Sequence, residues 1–132
     1  MANDFVWFEL VTTDTKAAGD FYKAVIGWSS EMSSGPAGPY TIFKNGAGDQ
    51  VAGVMNRPEG MNWPPHWVMY VGVPKLEDAV SQIEQRGGSA MSPIVDIPNI
   101  GRMRAMQDPQ GARFEAYEPV APPPRSPRPQ RR

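Results

Sequence analysis

Cysteine is absent from the 132 residues, which removes disulfides, thiol nucleophiles and thiolate metal sites together. Histidine is almost as scarce. His66 stands alone, which argues against a histidine general base with its own orienting carboxylate, or a site built from several imidazoles. The serines, mainly 29–34, 81, 89 and 92, suggest no Ser/His/acid set. There is no apolar run of about eighteen residues, so nothing reads as a membrane span. The opening Met1-Ala-Asn-Asp-Phe5 lacks a basic stretch followed by an apolar one, which argues against a secretory signal. A small cytoplasmic protein is expected.

The formal net charge of −1 conceals an asymmetry. Residues 1–120 carry nine Lys/Arg against fourteen acidic residues, and the last twelve residues add four arginines and no acid. That tail also holds Pro122–Pro124, Pro127 and Pro129, and it is expected to be a disordered extension. The acidic body offers no basic stripe, so nucleic acid and membrane are not expected as partners. A 40% hydrophobic content suits one domain with a real core, placed at 1–120.

Phe5–Thr12 is rich in aromatic and β-branched residues and reads as a strand. Thr13-Asp14 can cap a helix whose apolar positions, Ala17, Ala18, Phe21, Tyr22, Val25 and Ile26, precede a stop at Gly27. Strands follow at Trp28–Ser33, Tyr40–Lys44 and Gln50–Asn56, separated by a Gly/Pro loop and an Asn-Gly-Ala-Gly turn. After a linker, Arg57–Pro65, the order repeats: a strand over His66–Val73, a helix over Lys75–Arg86, a strand over Ser89–Val95, and a final hairpin. Neither Gly46-Ala-Gly48 nor Gly87-Gly88 precedes a helix, so both are poor phosphate cradles.

Each half is a βαβββ module of about sixty residues, near 3–58 and 65–119. Sliding one onto the other puts Val54 on Glu115 and Pro58 on Pro119. The expected fold is α+β: tandem modules forming a curled mixed sheet around a cleft, helices outside. In the hairpin, Asp108-Pro-Gln-Gly111 supplies the turn. With those four residues as the loop, Met106 faces Arg113 and Arg104 faces Glu115.

The stretches WFELVTTDTKAAGDFYKAVIGW (7–28), HWVMYVGVPKLEDAV (66–80), QRGG (85–88) and IPNIGRMRAMQDPQGARFEAYEP (97–119) resemble the vicinal oxygen chelate superfamily, the glyoxalase, bleomycin-resistance and extradiol-dioxygenase group. Members that use a metal hold it with His and Glu on the first and last strands of each module. Laid on this chain, the resemblance gives Trp7, Val54, Val68 and Glu115 as those positions, and only Glu115 is a donor.

The favoured expectation is therefore a metal-independent, glyoxalase-like protein binding a small aromatic or amphipathic molecule in the inter-module cleft. Its expected lining is Trp7, Glu9, Phe43, Val54, Val68, Tyr70, Arg104, Met106, Arg113, Glu115 and Tyr117, with Glu9 and Glu115 as candidate acid–base groups. The alternative is a divalent-metal lyase, isomerase or dioxygenase using Glu9, His66 and Glu115. Against that set, Glu9 can bond to a neighbour, Glu115 can pair with Arg104 or Arg113, and His66 can cap the loop after Pro64-Pro65. A regulatory protein acting through its tail is a third option. No cofactor is favoured, and a homodimer is expected, since closing an open sheet edge gives it a physical motive.

Overall fold

The computed structural model describes residues 3–35 and 38–120. The tail expected at 121–132 lies outside the described residues.

The elements run β1 (Phe5–Thr12), α1 (Thr15–Val25), β2 (Ser29–Gly35), β3 (Gly38–Lys44), β4 (Gln50–Asn56), β5 (His66–Gly72), α2 (Leu76–Gln85), β6 (Ser89–Ala90), β7 (Val95–Ile97), β8 (Gly101–Gln107) and β9 (Arg113–Pro119). All nine strands belong to one curled mixed sheet in the order β2-β3-β4-β1-β5-β9-β8-β6, with β7 also on β8. Each module pairs its first and last strands in parallel, β1 with β4 and β5 with β9. The modules meet where β1 and β5 pair antiparallel, so they join within one chain.

Asp14 caps α1, its carboxylate accepting the Ala17 N–H at 3.0 Å. Gly27, at φ +95°, ends the element where a side chain would be strained. Lys75 gives α2 no side-chain cap. Glu118 on β9 does that work, its Oε1 accepting the Leu76 N–H at 2.7 Å and the Arg102 guanidinium at 2.8 Å. Those two bonds, the backbone one first, hold the Glu118 carboxyl below the usual range. Among the described residues, no helix is long and apolar enough to cross a membrane.

Both helices cover the same side of the sheet. Beneath α1, Leu10, Phe43, Ala52 and Val54 pack with Ala18, Tyr22 and Trp28. Beneath α2, Leu76, Val80, Met106 and Ala116 pack with Ile83, Ala90 and Phe114. Phe43, Leu76 and Met106 are fully buried, each stabilising the fold by about 1.5–3 kcal/mol. A third cluster, Val11, Val68 and Tyr70 with Trp7, Met55, Met103 and Tyr117, occupies the other, helix-free face.

Three sequence expectations are corrected. The strand expected over Ser89–Val95 is split into β6 and β7. Pro93 has no N–H to give, and the Ser92 hydroxyl replaces a ladder acceptor by taking the Ala105 N–H at 3.1 Å. The hairpin register is one residue off. Gln107 faces Arg113, Met106 faces Phe114 and Ala105 faces Glu115. The cause is Asp108, whose carboxylate accepts the Gln110 and Ala112 N–H groups, lengthening the loop to five residues. Finally, Phe21, Val25 and Ile26 of the expected apolar helix face are more than half exposed.

Candidate functional site

Strand alternation brings Trp7, Glu9, Val68, Tyr70, Glu115 and Tyr117 to the helix-free face at the junction of the modules. Glu9 is 5% exposed and fully engaged. Tyr40 donates to its Oε2 at 2.6 Å and Tyr70 to its Oε1 at 2.8 Å. The Trp7 indole N–H donates in turn to the Tyr40 oxygen at 3.2 Å. Burial, then the charge of Glu9, pushes both tyrosine hydroxyls far above their ordinary range, so they act as fixed donors.

Gly53 makes this possible. It sits beside Glu9 in the parallel ladder, and a Cβ there would lie 1.6 Å from the Tyr40 hydroxyl. The glycine is thus the place where the phenol passes over the backbone. Sequence reasoning missed Tyr40. The available signal was a lone glycine inside an otherwise regular strand.

A second group centres on Arg113. Its guanidinium donates to Glu115 Oε2 at 2.8 Å and to His66 Nε2 at 2.8 Å, and it stacks over the Trp63 ring at 4.1 Å. His66 Nδ1 lies 2.7 Å from the Pro64 carbonyl, which can only accept. Nδ1 therefore carries the proton, and the Nε2 lone pair faces arginine. The Arg113 Nε is buried without a partner among the described residues. Burial raises the Glu115 carboxyl, Arg113 opposes that shift, and Glu9 adds to it.

The pairing also refines the family's metal positions. Tyr70 faces Glu115 in the second module as Glu9 faces Gly53 in the first. The counterpart of Glu115 is therefore Gly53, while Val54 lies one residue on and against α1. A one-residue step along a strand changes its face. The positions become Trp7, Gly53, Val68 and Glu115, still with one donor, and that donor is held by arginine. The residues present do not fit a metal. Among the described residues no three His, Cys, Asp or Glu side chains gather to hold one, and Glu9, His66 and Glu115 are not brought together in that way.

Other expected lining residues lie elsewhere. Phe43, Val54 and Met106 belong to the helix-covered clusters. Arg104 shares the side of Ala116, and its Nε donates to the Ser92 carbonyl at 2.7 Å rather than to Glu115. A shallow recess bordered by Thr12, Asn56, Arg57 and Met61 lies at the end of β1 and β4, and neither Glu9 nor Glu115 lines it.

Two βαβββ modules joined at their first strands, with first and last strands parallel inside each, define the vicinal oxygen chelate fold class. Residues 4–116 match the family model described as the Glyoxalase/Bleomycin resistance protein/Dioxygenase superfamily, and the chain belongs to that superfamily. It is 33% identical over 116 residues to a protein of Mycobacterium tuberculosis named "Putative glyoxylase CFP32", covering 87% of this chain and 44% of that one. It is 30% identical over 124 residues to the anthracycline biosynthesis protein DnrV of Streptomyces peucetius, covering 84% of this chain and 45% of that one. The chain thus spans less than half the length of these curated relatives. The structure of a Mn(II)-bound glyoxalase from Novosphingobium aromaticivorans has the same fold, with TM-score 0.57 at 19% identity, over 91% of this chain and 40% of that one.

Proposed function

We propose that this chain binds a small aromatic or amphipathic molecule on the helix-free face between its modules, without a metal. The observation that carries the reading is the capture of Glu115, the single donor at the family's metal positions, by Arg113 at 2.8 Å. A carboxylate held this way gives its charge to arginine rather than to a cation. Trp7, Tyr70 and Tyr117 support an aromatic guest, the two tyrosine rings lying 6.3 Å apart at 74°. One relative is named for anthracycline biosynthesis, and anthracyclines are planar aromatic compounds.

A second reading rests on Glu115 itself. Its side chain is buried, at 6% exposure, and that burial raises its pKa. Such a carboxyl can exchange a proton with a bound ligand without metal assistance. A pH–rate profile that loses one limb in Glu115→Gln supports this reading; an unchanged profile refutes it.

The deciding experiment is metal content of the purified protein, then thermal shift with Zn, Ni, Mn and Fe(II) and with a panel of planar aromatic compounds. A ligand at a hundredfold its Kd adds about 2.7 kcal/mol of stability. The proposal expects no stoichiometric metal, no metal shift, and a shift with an aromatic that is reduced in Trp7→Ala. A stoichiometric metal shift lost in Glu115→Ala overturns it.

A further inference from the structure

We propose that His66 is a positioning residue: its unprotonated Nε2 fixes the Arg113 guanidinium, and through it Glu115, for a ligand on the helix-free face. The role rests on the ligand reading of that face. Three groups converge on the guanidinium. Nη1 donates to His66 Nε2 at 2.8 Å, Nη2 donates to Glu115 Oε2 at 2.8 Å, and the Trp63 ring centroid lies 4.1 Å from Cζ. Bonds from both terminal nitrogens and a ring against the flat face leave the group little freedom to turn. Two of the three partners come from one short segment, Trp63-Pro-Pro-His66, where the inter-module linker enters β5. That segment is itself tied down. The Arg57 guanidinium donates to the Trp63 carbonyl at 2.6 Å. Pro64 and Pro65 restrict the backbone between the two rings, and the Pro64 carbonyl takes the His66 Nδ1 proton at 2.7 Å. The linker thus arrives already shaped, with an acceptor aimed at arginine.

This arrangement is not the one that best satisfies arginine itself. Its Nε is buried with no partner among the described residues, whereas buried polar atoms are nearly always paired. Nor does His66 offset the cation. A neutral imidazole brings no charge, and it accepts from arginine only in the tautomer that the Pro64 carbonyl selects. What the contacts secure is direction. Glu115 is buried on the helix-free face, with Tyr70 facing it in the ladder and Tyr117 two residues along its own strand. Arg113 reaches it from two residues away on that strand. A guanidinium free to swing would take this bond with it, and both polar groups would meet a guest in many orientations. Groups held in place bind a ligand at lower entropic cost than mobile ones. The linker that joins the modules is therefore also part of the site.

The test is nitrogen NMR of the labelled full chain at neutral pH, followed by titration with a hydroxynaphthoquinone as the planar aromatic probe. His66 is the only histidine, so its ring nitrogens are assigned without any variant. Nδ1 should carry the proton and Nε2 none, and the Arg113 Nε–H should exchange slowly with solvent. A proton on Nε2 overturns the proposal even if no variant folds. His66→Phe keeps a ring and removes the acceptor. It should speed the Arg113 Nε–H exchange on the order of tenfold and weaken probe binding on the order of tenfold, with the circular dichroism spectrum unchanged. His66→Gln, which restores an acceptor at similar reach, should recover both. Unchanged exchange in His66→Phe, no recovery in His66→Gln, or unchanged affinity beside a loosened guanidinium would each overturn the proposal. The exchange rates need no ligand, so they test the hold on Arg113 separately from the ligand reading. A parent protein that does not bind the probe sinks that reading, and the positioning role falls with it.

Discussion

Replacing Gly53 by alanine tests the Glu9 group more sharply than replacing any of its polar members. Inside a strand, glycine to alanine ordinarily stabilises by about 0.5–1 kcal/mol, because the unfolded chain loses freedom. Here the added Cβ would sit 1.6 Å from the Tyr40 oxygen and 2.3 Å from its Cζ. The ring must swing away, taking its hydroxyl from Glu9. A hydrogen bond to a charged acceptor is worth about 1.5–3 kcal/mol, and the Glu9 oxygen is left buried without its donor. The expected net loss is about 2–4 kcal/mol, read from urea unfolding as a lower midpoint at constant slope. Tyr40→Ala supplies the control. With the ring gone, Gly53→Ala should become neutral or stabilising, and the two costs should fail to add by at least about 1 kcal/mol. Additive costs, or a Gly53→Ala protein more stable than the parent, would refute the account of Gly53 as the passage for the phenol.

Two further outcomes are expected. Burial raises Glu115 above the ordinary carboxyl value of 4.5, so the native state holds its proton more tightly than the unfolded chain; its contribution is fully present below pH 4.5 and is lost as pH rises through the raised value. Urea titrations across that window should show this decline, and Glu115→Gln should abolish it; an unchanged slope would place the titration elsewhere. Phe43→Ala should cost about 3–5 kcal/mol, since its ring is fully buried beneath α1, yet leave the affinity for an aromatic ligand within about threefold when measured on folded protein. A large loss of affinity would move the ligand to the helix side.

Much of the fold could be read because local chemistry and tertiary structure agree. Gln50–Asn56 is a strand to the residue, Asp14 caps α1 as its position suggests, and the duplication foretells the paired modules. The errors share a cause: side chains acting on distant or unexpected backbone. Asp108 accepts two loop N–H groups and moves the β8–β9 register by one, which takes Arg104 away from Glu115. Ser92 and Pro93 divide a strand that propensity alone would continue. Phe21, Val25 and Ile26 follow a helical period whose outer limit is set by how much sheet lies beneath α1, and no local pattern encodes that.

For the site, alternation correctly grouped Trp7 with Glu9 and Glu115 with Tyr117. Sliding one module onto the other put Val54 in the place that Gly53 holds, because the modules differ in spacing by one residue between first and last strands. Tyr40 was out of reach for a related reason. Its bond to Glu9 spans 31 residues and depends on a missing Cβ across a neighbouring strand.

The single antiparallel seam between β1 and β5 also sets the order in which the chain can assemble. Every other major pairing lies inside one module, whereas Phe8 and Met69 must meet across the whole first module and the linker. Closing so long a loop is entropically slow, so each half can take shape before the seam is made. During that interval both first strands are open edges rich in aromatic and branched side chains, and an edge of one molecule can pair with the complementary edge of another. Dilute refolding favours closure within one chain, while crowded refolding favours exchange between chains. Refolding yield should therefore fall as concentration rises, with the seam as the step that decides it.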